Sequence, residues 1–494
     1  MRPPLPSPSP SPSPSPSTTP TALAPATAVP ARTLARDLPS VPPGTVVRLQ
    51  GWVHRRRELA TVTFLVLRDR TGLAQVVVRS ASGQDTPRPN GAAPNAGPDV
   101  VGQTTPAVPP EETTVEVTGT VTANPQAPGG VEVTGTGGAG AGGAGPVITP
   151  LTDAAETPPV ELWRPALGAA LPTMLDHAAV AWRHPAQKAR WEVAAASLRG
   201  FRATLDAAGF TEVCTPKLVG TATESGANVF PVDYFGRPAY LAQSPQFYKQ
   251  QLVGVFERVY EVGPVFRAEP HDTVRHLAEY RSLDVELGFV RDHRDVLAVL
   301  RDVLAGMAGA VRASGAAERL GVEVPQVPAE FPVLHFADAL ELVGAPSDEP
   351  DLAPEHERAL GEWARAEHRS DFVAVEGYPM AKRPFYTHPE PARQGSGSGT
   401  GGARWSNSFD LLFRGLELVT GGQRLHRYAD YVAAIEARGE DPASYATYLE
   451  AFRHGMPPHG GFAIGLERWV ARLVGAANVR EVTPFPRDLH RLTP

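Results

Sequence analysis

Apolar and polar positions alternate most clearly at 282–290, where Leu283, Val285, Leu287 and Phe289 interleave with Asp284, Glu286 and Gly288. A period of two marks a β-strand, and a partner strand is predicted at 259–266. Strands are also predicted at 46–54, 61–68 and 73–79, with Arg-Asp-Arg-Thr-Gly (68–72) turning between the last two, and again at 113–122 and 130–134. Helical spacing takes over at 184–208, where Trp191, Ala194, Ala195, Leu198, Phe201 and Leu205 recur on one face before Gly209. A strand at 210–216 follows. Further helices are predicted at 294–314, 354–368, 428–438, 442–454 and 466–474.

Composition divides the chain. Pro-Ser repeats without an apolar h-region fill 1–30, which predicts a disordered or polyproline-like tail rather than a secretory signal. Five short strands broken by flexible loops make 31–152 a small Greek-key barrel of the oligonucleotide-binding type. Pro158, Pro159 and Pro165 punctuate a linker, 153–174. From 175 to 494, short antiparallel strands mixed with helices argue a sheet flanked by helices, so the fold class is α+β. A Gly/Ser-rich insertion interrupts it at 394–402.

Charge and cysteine content narrow the function classes. The chain has 46 Lys+Arg against 53 Asp+Glu, so a nucleic acid must be met by a local basic patch. Arg48, Arg55, Arg56, Arg57, Arg68, Arg70 and Arg79 supply one on the barrel. The lone Cys214 excludes an internal disulfide and fits a reducing cytoplasm. No apolar run reaches the ~18 residues of a membrane span.

The candidate chemistry lies in the second half. Between the strands at 259–266 and 282–290, a loop carries Arg267, Glu269, His271, Asp272, Arg275, His276 and Glu279. Guanidinium and imidazole donors at that density suit a polyanionic ligand. Glu224 sits among small residues in Thr-Ala-Thr-Glu-Ser-Gly-Ala (221–227), a loop able to close over a substrate. Read as one strand, 409–424 puts Asp410 and Glu417 on opposite faces unless a bulge near Gly415 intervenes.

Phe-Arg-Ala-Glu (266–269) followed by Arg-His-Leu (275–277) resembles motif 2 of class II aminoacyl-tRNA synthetases, in the archaeal-type aspartyl/asparaginyl subgroup. The helix, Gly-Phe and strand ending at Pro216 resemble motif 1, and Gly-Gly-Phe-Ala-Ile-Gly-Leu-Glu-Arg (460–468) resembles motif 3. The likeness runs from about 46 to 494. It implies a class II catalytic domain behind an anticodon-binding barrel, and a homodimer built on motif 1.

The resemblance also implies roles. Arg267 and Arg468 are the catalytic arginines, Arg267 bridging the substrate carboxylate and the α-phosphate. ATP is held by Arg267, Ala268, Glu269, Arg275, His276, Leu277, Tyr280, Glu417, Gly465, Leu466, Glu467 and Arg468. Aspartate is held by Glu224, by Gln246, Phe247, Tyr248 and Lys249 of a Gln-x-x-Lys motif, and by Arg267, Thr420 and Arg424. Asp410, Glu417 and Thr420 serve Mg²⁺. In the barrel, Phe64 stacks on the central anticodon base and Gln75 hydrogen-bonds it. His54 and Pro128 match positions found in members that charge both tRNA-Asp and tRNA-Asn.

The expected activity is ATP-dependent formation of aspartyl-adenylate and transfer to tRNA-Asp and tRNA-Asn. No general base is needed, because the aspartate carboxylate is already ionised at pH 7. The alternatives are a synthetase restricted to tRNA-Asp, an asparaginyl enzyme, and a non-catalytic RNA-binding paralogue. Lys249 and Phe-Pro-Arg-Asp (485–488) favour the aspartyl branch over the asparaginyl one.

Overall fold

In the first unit, Val and Leu at every second position turn inward and roll the strands into a barrel. Its strands are β1 (Val46–Glu58), β2 (Val62–Arg68), β3 (Leu73–Arg79), β4 (Thr114–Ala123) and β5 (Val131–Thr134). They pair in the order β1-β2-β3-β5-β4, and β4 returns to β1 to close the ring. Leu49, Val53, Leu65, Leu67, Val76, Val117 and Val133 fill it. A sixth strand, β6 (Val147–Thr152), lies on β4 beside β5, one more than the five expected. The computed structural model describes residues 30–79, 108–135, 145–152, 156–220, 228–391 and 404–493. The Pro-Ser tail through residue 29, the insertion at 394–402 and Glu224 with its loop therefore lie outside the described residues.

The chain divides between Pro158 and Pro159. Val160 and Leu162, in the stretch expected to be a linker, are buried with Ala181 inside the second unit. That unit is built on helix α1 (Pro185–Ala207), α2 (Gln246–Phe256), α3 (His293–Ser314) and α4 (Leu466–Val474), with eleven strands among the described residues: β7 (Thr211–Glu212), β8 (Leu218–Val219), β9 (Pro231–Tyr234), β10 (Arg237–Leu241), β11 (Arg258–Phe266), β12 (Glu279–Gly288), β13 (Val333–His335), β14 (Phe372–Glu376), β15 (Ser408–Phe413), β16 (Glu417–Gln423) and β17 (His459–Gly465). Eight of them form one sheet in the order β13-β14-β15-β16-β17-β12-β11-β7, antiparallel except at its two end pairs. Val193, Phe201 and Leu205 of α1 and Leu300, Leu304 and Met307 of α3 bury one face of it.

Three sequence-based expectations change. The strand expected at 282–290 stops at Gly288, and Phe289 (φ 59) is exposed; within it Leu283 and Val285 are fully buried on one side, Asp284 and Glu286 on the other. Its polar side faces the site, so alternation here separates core from active site. The strand at 210–216 shrinks to β7, because only Thr211 and Glu212 find a partner in β11. The stretch 409–424 is a hairpin, not a strand. Arg414 (φ 50) and Gly415 (φ 71) turn it, and the register slips beyond Leu411. No helix among the described residues is long and apolar enough to cross a membrane.

Candidate active site

Sheet register assembles the site. Across β12, β17, β16 and β15, Glu286, Gly461, Gly422 and Ser408 lie side by side, and Asp284, Ala463, Thr420 and Asp410 form the next row on the same face. Small residues between acidic ones leave room above the sheet. Gly461 is obligatory, since a Cβ there would lie 2.1 Å from the Val285 carbonyl and 2.2 Å from the Glu286 carboxylate. Above this floor opens a cavity of about 520 Å³, lined by residues from the 267–278 loop, α2, the 382–387 segment, β16 and the start of α4.

Lys249 and Arg424 both line the cavity, although each is almost buried. Lys249 Nζ is 3.0 Å from Asp284 Oδ1 and 3.3 Å from Glu286 Oε2, with the Val285 and Phe462 carbonyls at 3.4 and 3.3 Å. Arg424 donates through Nε to Glu286 (3.0 Å) and through Nη2 to the Gly461 carbonyl (3.0 Å). Burial alone would push the Glu286 carboxyl up, but Arg424 and Lys249 hold it below its ordinary value. The expectation that Lys249 simply waits for a substrate carboxylate is thus refined. Its three protons are engaged, whereas Arg424 Nη1 makes no hydrogen bond among the described residues. Gln246 adds a buried Nε2 with no partner among them, also at the cavity wall.

Arg267, Glu269, Arg275, His276, Leu277 and Tyr280 line the same cavity, with Glu417, Gly465, Glu467 and Arg468. The Arg267 guanidinium stands 5.6 Å above the Tyr280 ring and 3.8 Å from Glu269. His276 accepts from or donates to Thr273 Oγ1 at 2.6 Å, and burial keeps its imidazole more readily neutral than usual. Arg468 reaches the Glu417 carbonyl (3.0 Å) and carboxylate (3.4 Å).

The hairpin brings Asp410 and Glu417 together. Glu417, recessed and beside Asp410, has its carboxyl pushed up. Asp410 accepts from Arg383 at 2.9 Å through Oδ2, while its buried Oδ1 has no partner among the described residues. Two neighbouring carboxylates with an unspent oxygen, and Thr420 Oγ1 3.5 Å from Glu417, fit a hard divalent cation. No group of three or more His, Cys, Asp or Glu able to hold a metal occurs among the described residues. Mg²⁺ would therefore draw its remaining ligands from phosphate and water.

Glu467 accepts from the Arg281 backbone N–H through both oxygens, each at 3.1 Å, and burial pushes its carboxyl up to about 7. A raised acid contributes stability below its unfolded value, near 4.5, that is lost as pH climbs through about 7. Thermal melts should fall over that window, and Glu467→Gln should flatten the fall, a contribution on the order of 2–3 kcal/mol.

Several expected residues lie elsewhere. Phe247 stacks on Tyr448 at 4.3 Å within an aromatic cluster behind the cavity, and neither it nor Tyr248 lines the cavity. Ala268 borders a small neighbouring pocket, and Leu466 faces an apolar groove instead. Asp410 does not itself line the cavity, although its partner Arg383 does. Arg383, 4.0 Å over the Tyr378 ring and lining the cavity, was missed, as no spacing marks it. Asp284 and Glu286 could have been singled out as paired acids in an otherwise apolar strand.

In the barrel, Phe64 and Gln75 share a face: Val66, two residues beyond Phe64, pairs with Gln75. Gln75 donates to Glu132 Oε2 (2.9 Å), as does Asn124 (2.6 Å), so Glu132 joins this patch. His54 is buried, its Nδ1 3.0 Å from Arg68, which also pairs with Glu112 at 2.9 Å. Its ring is therefore not presented at the barrel surface. Pro128 is exposed at the start of a short 3₁₀ turn, Pro128–Gly130.

The family described as tRNA synthetases class II (D, K and N) matches residues 171–489, and an OB-fold nucleic acid binding domain matches 47–137. The chain belongs to the class II tRNA synthetases of the D, K and N group. This synthetase is 46% identical over 469 residues to an aspartate--tRNA(Asp/Asn) ligase of Deinococcus radiodurans, covering 94% of the chain and 99% of the relative. It is 43% identical to the protein of the same name in Thermus thermophilus, covering 94% and 100%. Among solved structures, the asparaginyl-tRNA synthetase of Pyrococcus horikoshii complexed with asparaginyl-adenylate superposes with a TM-score of 0.77, 28% identity and coverage of 92% and 97%. The aspartyl-tRNA synthetase of Entamoeba histolytica gives 0.76 at 26% identity, covering 95% and 94%.

Proposed function

We propose that this synthetase activates L-aspartate with ATP and transfers it to both tRNA-Asp and tRNA-Asn. The observation that carries the reading is the pair of cations, Lys249 and Arg424, held by Glu286 at the wall of the cavity. The Lys249 charge and the unspent Arg424 Nη1 suit a side-chain carboxylate. The relatives named as Asp/Asn ligases support the wider tRNA range.

Aspartate's α-carboxylate attacks the α-phosphorus in line, forming aspartyl-adenylate and releasing pyrophosphate. Arg267 would span the attacking carboxylate and the phosphate, lowering the energy of the charge that builds there. Tyr280 and Arg468 would sandwich the adenine, and Arg275 and His276 would meet the phosphate tail. Asp410, Glu417 and Thr420 would hold Mg²⁺, which offsets phosphate charge when bound. A hydroxyl of the terminal ribose of tRNA then attacks the acyl carbon of the adenylate and takes the aspartyl group, releasing AMP. Trp191, Leu198, Val470 and Phe485 line an apolar groove on α1 and α4, and this face is proposed for a second copy of the chain.

The deciding experiment charges tRNA-Asp and tRNA-Asn transcripts side by side with labelled aspartate and asparagine. Aspartylation of both is expected. Charging of tRNA-Asp alone would restrict the enzyme, and charging with asparagine would overturn the amino acid. For the barrel, Phe64→Ala should raise KM for tRNA by about tenfold, as loss of one stacked base predicts, and leave aspartate-dependent pyrophosphate exchange unchanged.

A further inference from the structure

The segment Asn478–Asp488 takes no part in the chemistry above, yet it holds a deeply buried cation. Arg480 is 6% exposed. Its Nη2 donates to Asp272 Oδ1 at 2.5 Å, its Nη1 to the Thr273 carbonyl at 3.2 Å, and its Nε to Asp488 Oδ2 at 2.5 Å. Asp272 and Thr273 belong to the 267–278 loop; Asp488 belongs to the chain's final segment. Two backbone hydrogen bonds run alongside, Val479 to Val274 (2.9 Å) and Ala278 to Arg487 (2.8 Å).

This is more than a tether. The loop carries Arg267, Arg275 and His276, all at the cavity wall. Displacing such groups by about 1 Å can cost up to ~10²-fold in rate. The loop's own side chains offer little to hold its tip: Thr273 with His276 is its main internal hydrogen bond at that end. The rigid support comes from outside, from a guanidinium whose planar fork joins three segments at once.

We propose that Arg480 is a positioning residue that, braced by Asp488 and acting through Asp272, sets the 267–278 loop so that Arg275 and His276 meet the nucleotide already in place. The inference rests on reading the cavity as the ATP site. Arg480 touches no substrate, and its effect falls on ATP through Arg275 and His276. The cations for the aspartate side chain, Lys249 and Arg424, stand on α2 and just past the end of β16, and Arg267, which meets both substrates, is at the loop's base, where its backbone N–H donates to the Ala278 carbonyl.

The test is Asp272→Asn in the full chain. The Asp272 side chain is 45% exposed, so the substitution opens no void, and Arg480 keeps Asp488. The expected result is an approximately tenfold rise in KM for ATP in pyrophosphate exchange, with KM for aspartate and the melting temperature unchanged. Arg480→Lys should give the same split, and Asp272→Glu should restore part of it. An unchanged KM for ATP, or equal rises for both substrates, overturns the proposal. ATP affinity measured by calorimetry without aspartate reads the same loop independently of turnover. If the unsubstituted protein bound ATP but supported no exchange, the proposed function would fail, while the Asp272→Asn shift in affinity would still decide this inference.

Discussion

Lys249→Met should lower kcat/KM for aspartate by about a thousandfold, read as aspartate-dependent ATP–pyrophosphate exchange. The side chain is 1% exposed and sits between Asp284 and Glu286. Removing one partner of a buried, hydrogen-bonded charge pair costs about 3–5 kcal/mol, mostly because the remaining charge is stranded. Here Asp284 is stranded while Glu286 keeps Arg424, and the unneutralised charge then repels the substrate that Lys249 helps to attract. A drop of about 10³ corresponds to roughly 4 kcal/mol. Part of this loss is structural, and a double variant separates it. Adding Asp284→Asn removes that stranded charge, so it should recover much of the lost melting temperature but not the use of aspartate. If Lys249→Met stayed within threefold of the parent, the assignment of this cavity to aspartate would be wrong.

The second large effect falls on chemistry rather than binding. Arg267→Gln should lower kcat for adenylate formation by about 10²–10³, the usual cost of losing one donor aimed at developing charge. KM for aspartate should change only a few-fold, because Lys249, Arg424 and Gln246 are untouched. About a third of the Arg267 side chain is exposed, so the melting temperature should hold. Single-turnover formation of the adenylate gives the rate directly. A rise in KM with kcat intact would make Arg267 a binding residue only.

Reading these residues from the chain succeeded where local pattern and chemistry coincide. Helix α4 is marked by Leu-Glu-Arg-Trp-Val behind a glycine-rich strand, and the structure starts and ends it at Leu466 and Val474, as predicted. The hairpin of β11 and β12 was legible because two alternating runs flank a polar loop. Failures came where a residue's neighbours are distant in sequence. Phe247 belongs to a motif yet packs into an aromatic cluster, because helix α2 can turn only one side to the cavity, and Gln246 and Lys249 occupy it. Arg383 has no local signature at all, and becomes a site residue only because β15 brings Asp410 to it.

By itself, the amino-acid order determined the five barrel strands, the β11–β12 pair, the long helices and the kinds of side chain available for handling aspartate and nucleotide. These follow from short-range periodicity, turn residues and the chemistry of individual groups, all of which act within a few residues. Tertiary structure alone decided which of those groups meet. The pairing of Glu286 with Gly461, Gly422 and Ser408, and of Asp284 with Thr420 and Asp410, joins segments more than a hundred residues apart. The hairpin turn at Arg414 and Gly415 likewise placed Asp410 and Glu417 on adjacent strands, opposite Thr420 and Leu412, where a single strand would have kept the two acids apart. Register between strands is a property of the closed sheet and of the helices that bury its other face, so charges that look available in the chain can emerge already paired, as Lys249 does.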